Sequence, residues 1–150
     1  MLPKYHFSLG IIFVVILHFL FPQICVLYLS IIFLASFLIE IDHFFDYFLK
    51  KRDINPINAY KWYIEKWKMC KNLSRAQKKK IYSGFYIFHG VEVLIILFLL
   101  GVYFSQRFFF ILIGFSFHFL LDSIHEMYNK GTFDKISLVY NYHRFRKLNP

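Results

Sequence analysis

Four apolar runs constrain this chain more than anything else in it. The first extends from about Tyr5 to Phe21 and is stopped by Pro22; the second runs from Ile24 to about Ile41, and the third from Ile81 to Phe104. The fourth runs from Phe108 to Leu121, with helical character continuing to Tyr128. Each approaches the roughly 20 residues that cross a bilayer as a helix. Helix is the state expected, because an open strand would leave backbone amides and carbonyls unpaired in hydrocarbon. Tight connections at Pro22 and Gln23, and at Ser105, Gln106 and Arg107, predict two helical hairpins. The expected fold is all-α: an integral membrane four-helix bundle forming one domain over residues 1–150, with a basic amphipathic segment between the hairpins.

Composition agrees. Hydrophobic residues make up 58% of the chain, including 21 Phe, which is more apolar surface than a soluble domain of 150 residues can hide. The first run lacks a small-residue cleavage site and is followed at once by the second, so no cleavable leader is expected. The segment Lys50 to Lys80 is strongly basic and carries Trp62, Tyr63 and Trp67, which suit the interfacial belt. Asn55 and Pro56 predict a turn within it. Ser74 and Gln77 have the spacing of a capping box, predicting a helix that runs on into the third span.

The net charge of +9 is placed beside the spans, so the partners expected are membrane lipids, with anionic headgroups at the basic segment, and no nucleic acid. A four-span topology puts every Lys and Arg except Arg107 on one side. The positive-inside rule then predicts a multi-pass cell-membrane protein with both termini cytoplasmic. The two cysteines, Cys25 and Cys70, form no CxxC pair and predict neither a disulfide framework nor a thiolate metal site.

The ionisable residues of the runs gather at one end. His6 opens the first; Glu40, Asp42, His43 and Asp46 close the second; His89 and Glu92 lie early in the third; His118, Asp122, His125 and Glu126 close the fourth. In the four-span topology all fall within two or three helical turns of the same face. His118, Asp122 and His125 stand at i, i+4 and i+7 and form one stripe, and His89 and Glu92 share a face at i, i+3. A charge at membrane depth costs roughly 3 kcal/mol on the insertion scale, so the groups must satisfy one another. Water and mutual hydrogen bonds are one way, giving a structural network or a proton- or ion-conducting core. A divalent cation is the other. Mixed imidazole and carboxylate ligands without thiolate suit Zn²⁺, and also Mn²⁺ or Fe²⁺, as one or two ions. His18 is expected to be an ordinary hydrogen-bonded helix residue, His143 a solvated residue of a basic tail, and Glu40 and Glu126 peripheral to the site.

The order of these motifs adds a resemblance. His6 with Gly10, then Asp42, His43 and Asp46 in IDHFFDY, His89 in FHGVE, and Gly114, His118 and Asp122 in GFSFHFLLD resemble the YbcI/YdjM-like membrane-bound metal-dependent hydrolases from His6 to Asp122. The resemblance implies an integral membrane protein with a His/Asp metal site and hydrolase activity. A weaker likeness to the ligand pattern of the zinc-dependent phospholipase C group hints at phosphoester chemistry. Where the family commonly has HRGxTHS this chain has SGFYIFHG: His89 matches the second histidine, while Gly84 and Gly90 replace the first histidine and the serine.

Taken together, the expected metal ligands are His6, Asp42, His43, His89, His118 and Asp122. Glu92 and Asp46 are the expected catalytic carboxylates, an unligated one acting as general base; the alternatives for them are further metal ligands or groups that orient a histidine. The expected activity is hydrolysis of a lipid or amphiphilic ester or phosphoester by metal-activated water. The rival expectation is a non-enzymatic membrane protein: a metal or proton carrier, or a scaffold for a cytoplasmic partner. A carrier needs a polar path, and the far half of the bundle offers only His18 and a few hydroxyls.

Overall fold

The computed structural model of the chain describes residues 2–80, 86–133 and 136–148. All secondary structure among them is helical: α1 (Pro3–Leu20), α2 (Val26–Leu38), α3 (Ile41–Lys51), α4 (Pro56–Lys71), α5 (Arg75–Lys80), α6 (Val91–Tyr103), α7 (Arg107–Lys130) and α8 (Leu138–Leu148). Three stretches, Pro3–Leu20, Val26–Lys51 and Arg107–Lys130, are long and apolar enough to cross a membrane. Large apolar side chains such as Phe19, Leu20, Val26 and Leu120 lie exposed along these helices. Both features point to a membrane protein.

Local chemistry sets most boundaries. Pro3 opens α1, where its missing N–H has no intrahelical partner to lose. Pro22 closes it off. The second run is interrupted by a turn at Ile39 and Glu40, where the His43 amide donates to the Glu40 carbonyl over the shorter i, i+3 span (3.0 Å). The helix then resumes as α3. The third run departs from expectation. Residues 81–85 lie outside the described residues, residues 86–90 are irregular, and the helix begins only at Val91. Its 13 residues reach about 20 Å, short of the ~30 Å hydrocarbon thickness. The cause is side-chain competition: the Asp42 carboxylate takes the Phe88 amide (2.6 Å) and the His89 ring (3.2 Å), holding this stretch in a turn.

The chain divides into two compact units, one formed by Met1–Ile39 with Val91–His125, the other by Glu40–Gly90 with Glu126–Pro150. In the first unit α1, α2 and α7 meet through aromatic pairs and close backbone approach. Phe13 stacks on Phe117 at 4.0 Å, Tyr28 stacks on Phe110 at 4.2 Å, and Phe7 sets its edge against Phe33 and Phe37. Gly114 brings α7 against α2: a Cβ there would press on the Ile32 carbonyl oxygen and stand 2.7 Å from the Ala35 Cβ. Small residues allow such approach in membrane helices. α6 leans on α7 through Phe98 and Phe109. His18, expected to be hydrogen-bonded inside, is exposed on the outer surface of α1.

In the second unit, α3 ends on Arg52 in the left-handed region (φ 55°). Asp53 then accepts from the Tyr47 hydroxyl, the Asn55 amide (2.9 Å) and the Asn58 side-chain amide (2.9 Å). The Tyr47 hydroxyl, helped by these amides, holds the Asp53 carboxyl below its ordinary value. Asn55 caps α4 by accepting from the Ile57 amide, and Pro56 follows at the first helical position. The expected capping box forms: the Ser74 amide donates to Gln77 Oε1 and the Gln77 amide to Ser74 Oγ. Arg75 Nη2 donates to the Tyr128 carbonyl near the end of α7, which closes on Gly131 in the left-handed region.

Two outcomes follow. Gly114→Ala lowers thermal stability in detergent by about 1–3 kcal/mol, because backbone cannot yield as a side chain can. Gly101→Ala meets only the Phe109 ring and costs less. Separately, the ionised Asp53 contributes stability that is present above its unfolded value near 3.8 and lost as pH falls through its lower folded value. Amide exchange at Ile57, followed by mass spectrometry, accelerates on acidification through that range, and Asp53→Asn abolishes the acceleration.

Candidate metal centre

In the first unit, His6 of α1 and His118 and Asp122 of α7 converge in a buried site. Their exposures are 1%, 1% and 7%. His118 and Asp122 share a face of α7 at i, i+4, as their spacing predicts. His6 Nε2 lies 3.1 Å from Asp122 Oδ1, and His118 Nε2 lies 3.9 Å from Asp122 Oδ2. The two imidazoles stack with centroids 3.9 Å apart and planes 17° from parallel.

The third helix of this unit fixes a tautomer. His118 Nδ1 is 2.8 Å from the Ser36 carbonyl oxygen. A carbonyl only accepts, so Nδ1 carries a proton, and in a neutral ring Nε2 presents its lone pair on the side of Asp122. Ser36 is available because α2 ends at Leu38, which leaves its last carbonyls without intrahelical donors. A carbonyl or carboxylate behind a histidine is the usual support of a metal-ligating imidazole.

The donor set fits a cation. One ligand atom from each of His6, His118 and Asp122 lies within 4.8 Å of the other two. Ligand bonds of about 2.0–2.1 Å in tetrahedral geometry place neighbouring donors about 3.3–3.4 Å apart. The observed separations of 3.1 and 3.9 Å bracket that value. Among the described residues three would hold the ion, the number of protein ligands that catalytic zinc sites use. The same two-histidine, one-carboxylate set also accepts iron or manganese.

The other expected ligands belong to the second unit. Asp42 is buried and accepts from the Phe88 amide and the His89 Nδ1–H, which directs His89 Nε2 away from this carboxylate. His43 is buried between the rings of Tyr63 and Tyr86, with Nε2 3.2 Å from Glu40. Asp46 is ion-paired with Lys50 (2.7 Å) and Lys66 (3.5 Å). Burial, with repulsion from Lys50, lowers the Lys66 pKa, and Asp46 offsets part of that effect. Trp62 receives both ammonium groups over its face, at 5.7 Å from Lys50 and 4.9 Å from Lys66.

Glu92 is half-buried in the first turn of α6, in the same unit as the His6 site, where the helix dipole favours a carboxylate. His125 is half-buried on α7, and Glu126 pairs with Lys130 at 3.7 Å. His143 is exposed. Sequence reasoning overlooked the Ser36 carbonyl, which no side-chain pattern reveals. It also overlooked the lysine partners of Asp46, although Lys50 stands at i+4 and signalled one of them.

Comparison with known proteins finds no matching family model, no matching curated protein and no matching solved structure.

Asp42→Ala removes the acceptor of the Phe88 amide. Leaving that donor without its partner costs about 1–3 kcal/mol. Hydrogen exchange at Phe88 rises about five- to hundredfold, while exchange in α1 is unchanged.

Proposed function

We propose that the chain is a multi-pass membrane hydrolase whose His6, His118 and Asp122 hold a divalent cation, zinc in the first instance. Its substrate is an ester or phosphoester of a lipid or other amphiphile. The observation that carries the reading is the buried donor triad with the His118 tautomer set by Ser36. The proposal includes the four-helix bundle of two hairpins, both termini on the cytoplasmic side, and kinship with the YbcI/YdjM-like hydrolases that the motif order resembles.

Each residue has a defined task. His6 and His118 present neutral imidazole nitrogens, and Asp122 supplies the negative charge that balances a cation in an apolar setting. Ser36 keeps His118 from rotating or changing tautomer. A divalent ion there supplies a Lewis acid that acidifies water and polarises the scissile ester oxygen. Of the two carboxylates considered as general base, Glu92 belongs to the unit that contains the triad and takes the proton in this reading. Asp46 is committed to Lys50 and Lys66. Asp42, His43 and His89 are the candidate ligands for a second ion.

The test is metal content with turnover. Protein purified in detergent carries about one equivalent of transition metal by mass spectrometry; His118→Ala and Asp122→Asn lose it, and each drops hydrolysis of a phospholipid and phosphoester panel at least hundredfold. Glu92→Gln keeps the metal and loses turnover. A wild-type protein free of stoichiometric metal overturns the reading, and full metal without turnover favours a non-enzymatic membrane protein.

A further inference from the structure

The face of α4 turned away from the protein combines lysines with large apolar side chains. Ile57 and Tyr60 are 63% and 52% exposed, Lys61, Lys68 and Lys71 are exposed, and Ile64 is half-exposed. At 100° per residue these six positions fall within an arc of about 100°. The opposite side packs inward: Ala59 is buried, Trp62 lies against Tyr47, and Tyr63 against His43. Across the helix four lysines stand against one glutamate, Glu65. An exposed strip of this kind has no use in water, where its isoleucines and tyrosine are a liability.

Position adds a second argument. α4 follows the candidate span Val26–Lys51 after only Arg52, Asp53, Ile54 and Asn55. Four residues reach at most about 14 Å, so the start of α4 stays close to the end of that span. Asp53 and the Asn55 cap hold the connection in a defined turn, so α4 is aimed rather than loosely tethered. Ile54, in the connection, is 73% exposed. A helix so placed, with apolar residues between lysines, meets the conditions for lying in the plane of a membrane surface.

We propose that α4 docks on an anionic lipid surface, with Ile57, Tyr60 and Ile64 in the acyl boundary and Lys61, Lys68 and Lys71 on lipid phosphates. Charge complementarity selects this partner: the chain carries +9, and the strip itself holds three lysines and no acid. Lys50 and Lys66 take no part, since the Asp46 carboxylate pairs with both, whereas Lys71, over the Trp67 ring at 5.3 Å, remains exposed. The inference goes beyond the metal reading and does not depend on it; loss of metal from His118→Ala leaves it standing.

The chain has its own reporter, because its two tryptophans, Trp62 and Trp67, both lie on α4. Trp67 is seven residues from Tyr60 and flanks the strip. Full-length protein is reconstituted in phosphatidylcholine bilayers containing a brominated lipid, with and without about 30% phosphatidylglycerol. Tryptophan quenching rises with the anionic lipid and falls back at about 0.5 M salt. Each lysine near such a surface is worth roughly fivefold in the docking equilibrium, so the triple change Lys61→Gln, Lys68→Gln, Lys71→Gln weakens it roughly a hundredfold. Metal content stays at the wild-type value in that variant. Equal quenching in neutral and anionic bilayers, or an anionic increment that survives both salt and the triple change, overturns the proposal. The same holds if an acidic peptide added to neutral bilayers shifts the emission more than anionic lipid does.

Discussion

A carboxylate buried among apolar helices is the feature on which this molecule turns. Asp122 sits in a helix rich in Phe, Leu and Ile, and an isolated charge there is expensive. Its cost is met locally by two imidazoles, one from its own helix and one from α1. That requirement couples chain segments 116 residues apart and makes the polar centre and the helix packing of this unit inseparable.

The second compact unit solves a related problem by other means. Asp42 is absorbed by a backbone amide and a ring nitrogen, and Asp46 by two ammonium groups. One carboxylate thereby shapes a turn and the other anchors α4 to α3. The same residue type serves as a candidate ligand, a turn former and an ion-pair partner. Burial and neighbours decide among these roles, and residue type alone does not.

This explains what the sequence made legible. α1 and α7 lie close to their expected ranges because long apolar runs bounded by Pro22, Gln106 and Gly131 admit little else. Asn55 with Pro56 lies in the turn expected of it, and Ser74 with Gln77 forms the capping box that their chemistry predicts. The i, i+4 spacing of His118 and Asp122 likewise carried through to a shared face. Long-range side-chain to backbone contacts were invisible. No periodicity shows that Asp42 reaches Phe88 and delays the start of α6, or that a carbonyl at the end of α2 receives His118. The lysine strip of α4 was visible as charge, but its separation from Lys50 and Lys66, which pair with Asp46, emerged only from the fold.

Gly114 stands one helical turn before His118 on the same face of α7, pressed against the stretch of α2 that contains Ser36. The approach that a hydrogen side chain permits is also what brings the Ser36 carbonyl within reach of the His118 ring. A position with no functional group of its own therefore governs which nitrogen of a neighbouring imidazole is free to bind. Enlarging it by one methyl would alter the centre's chemistry without touching any of its donors.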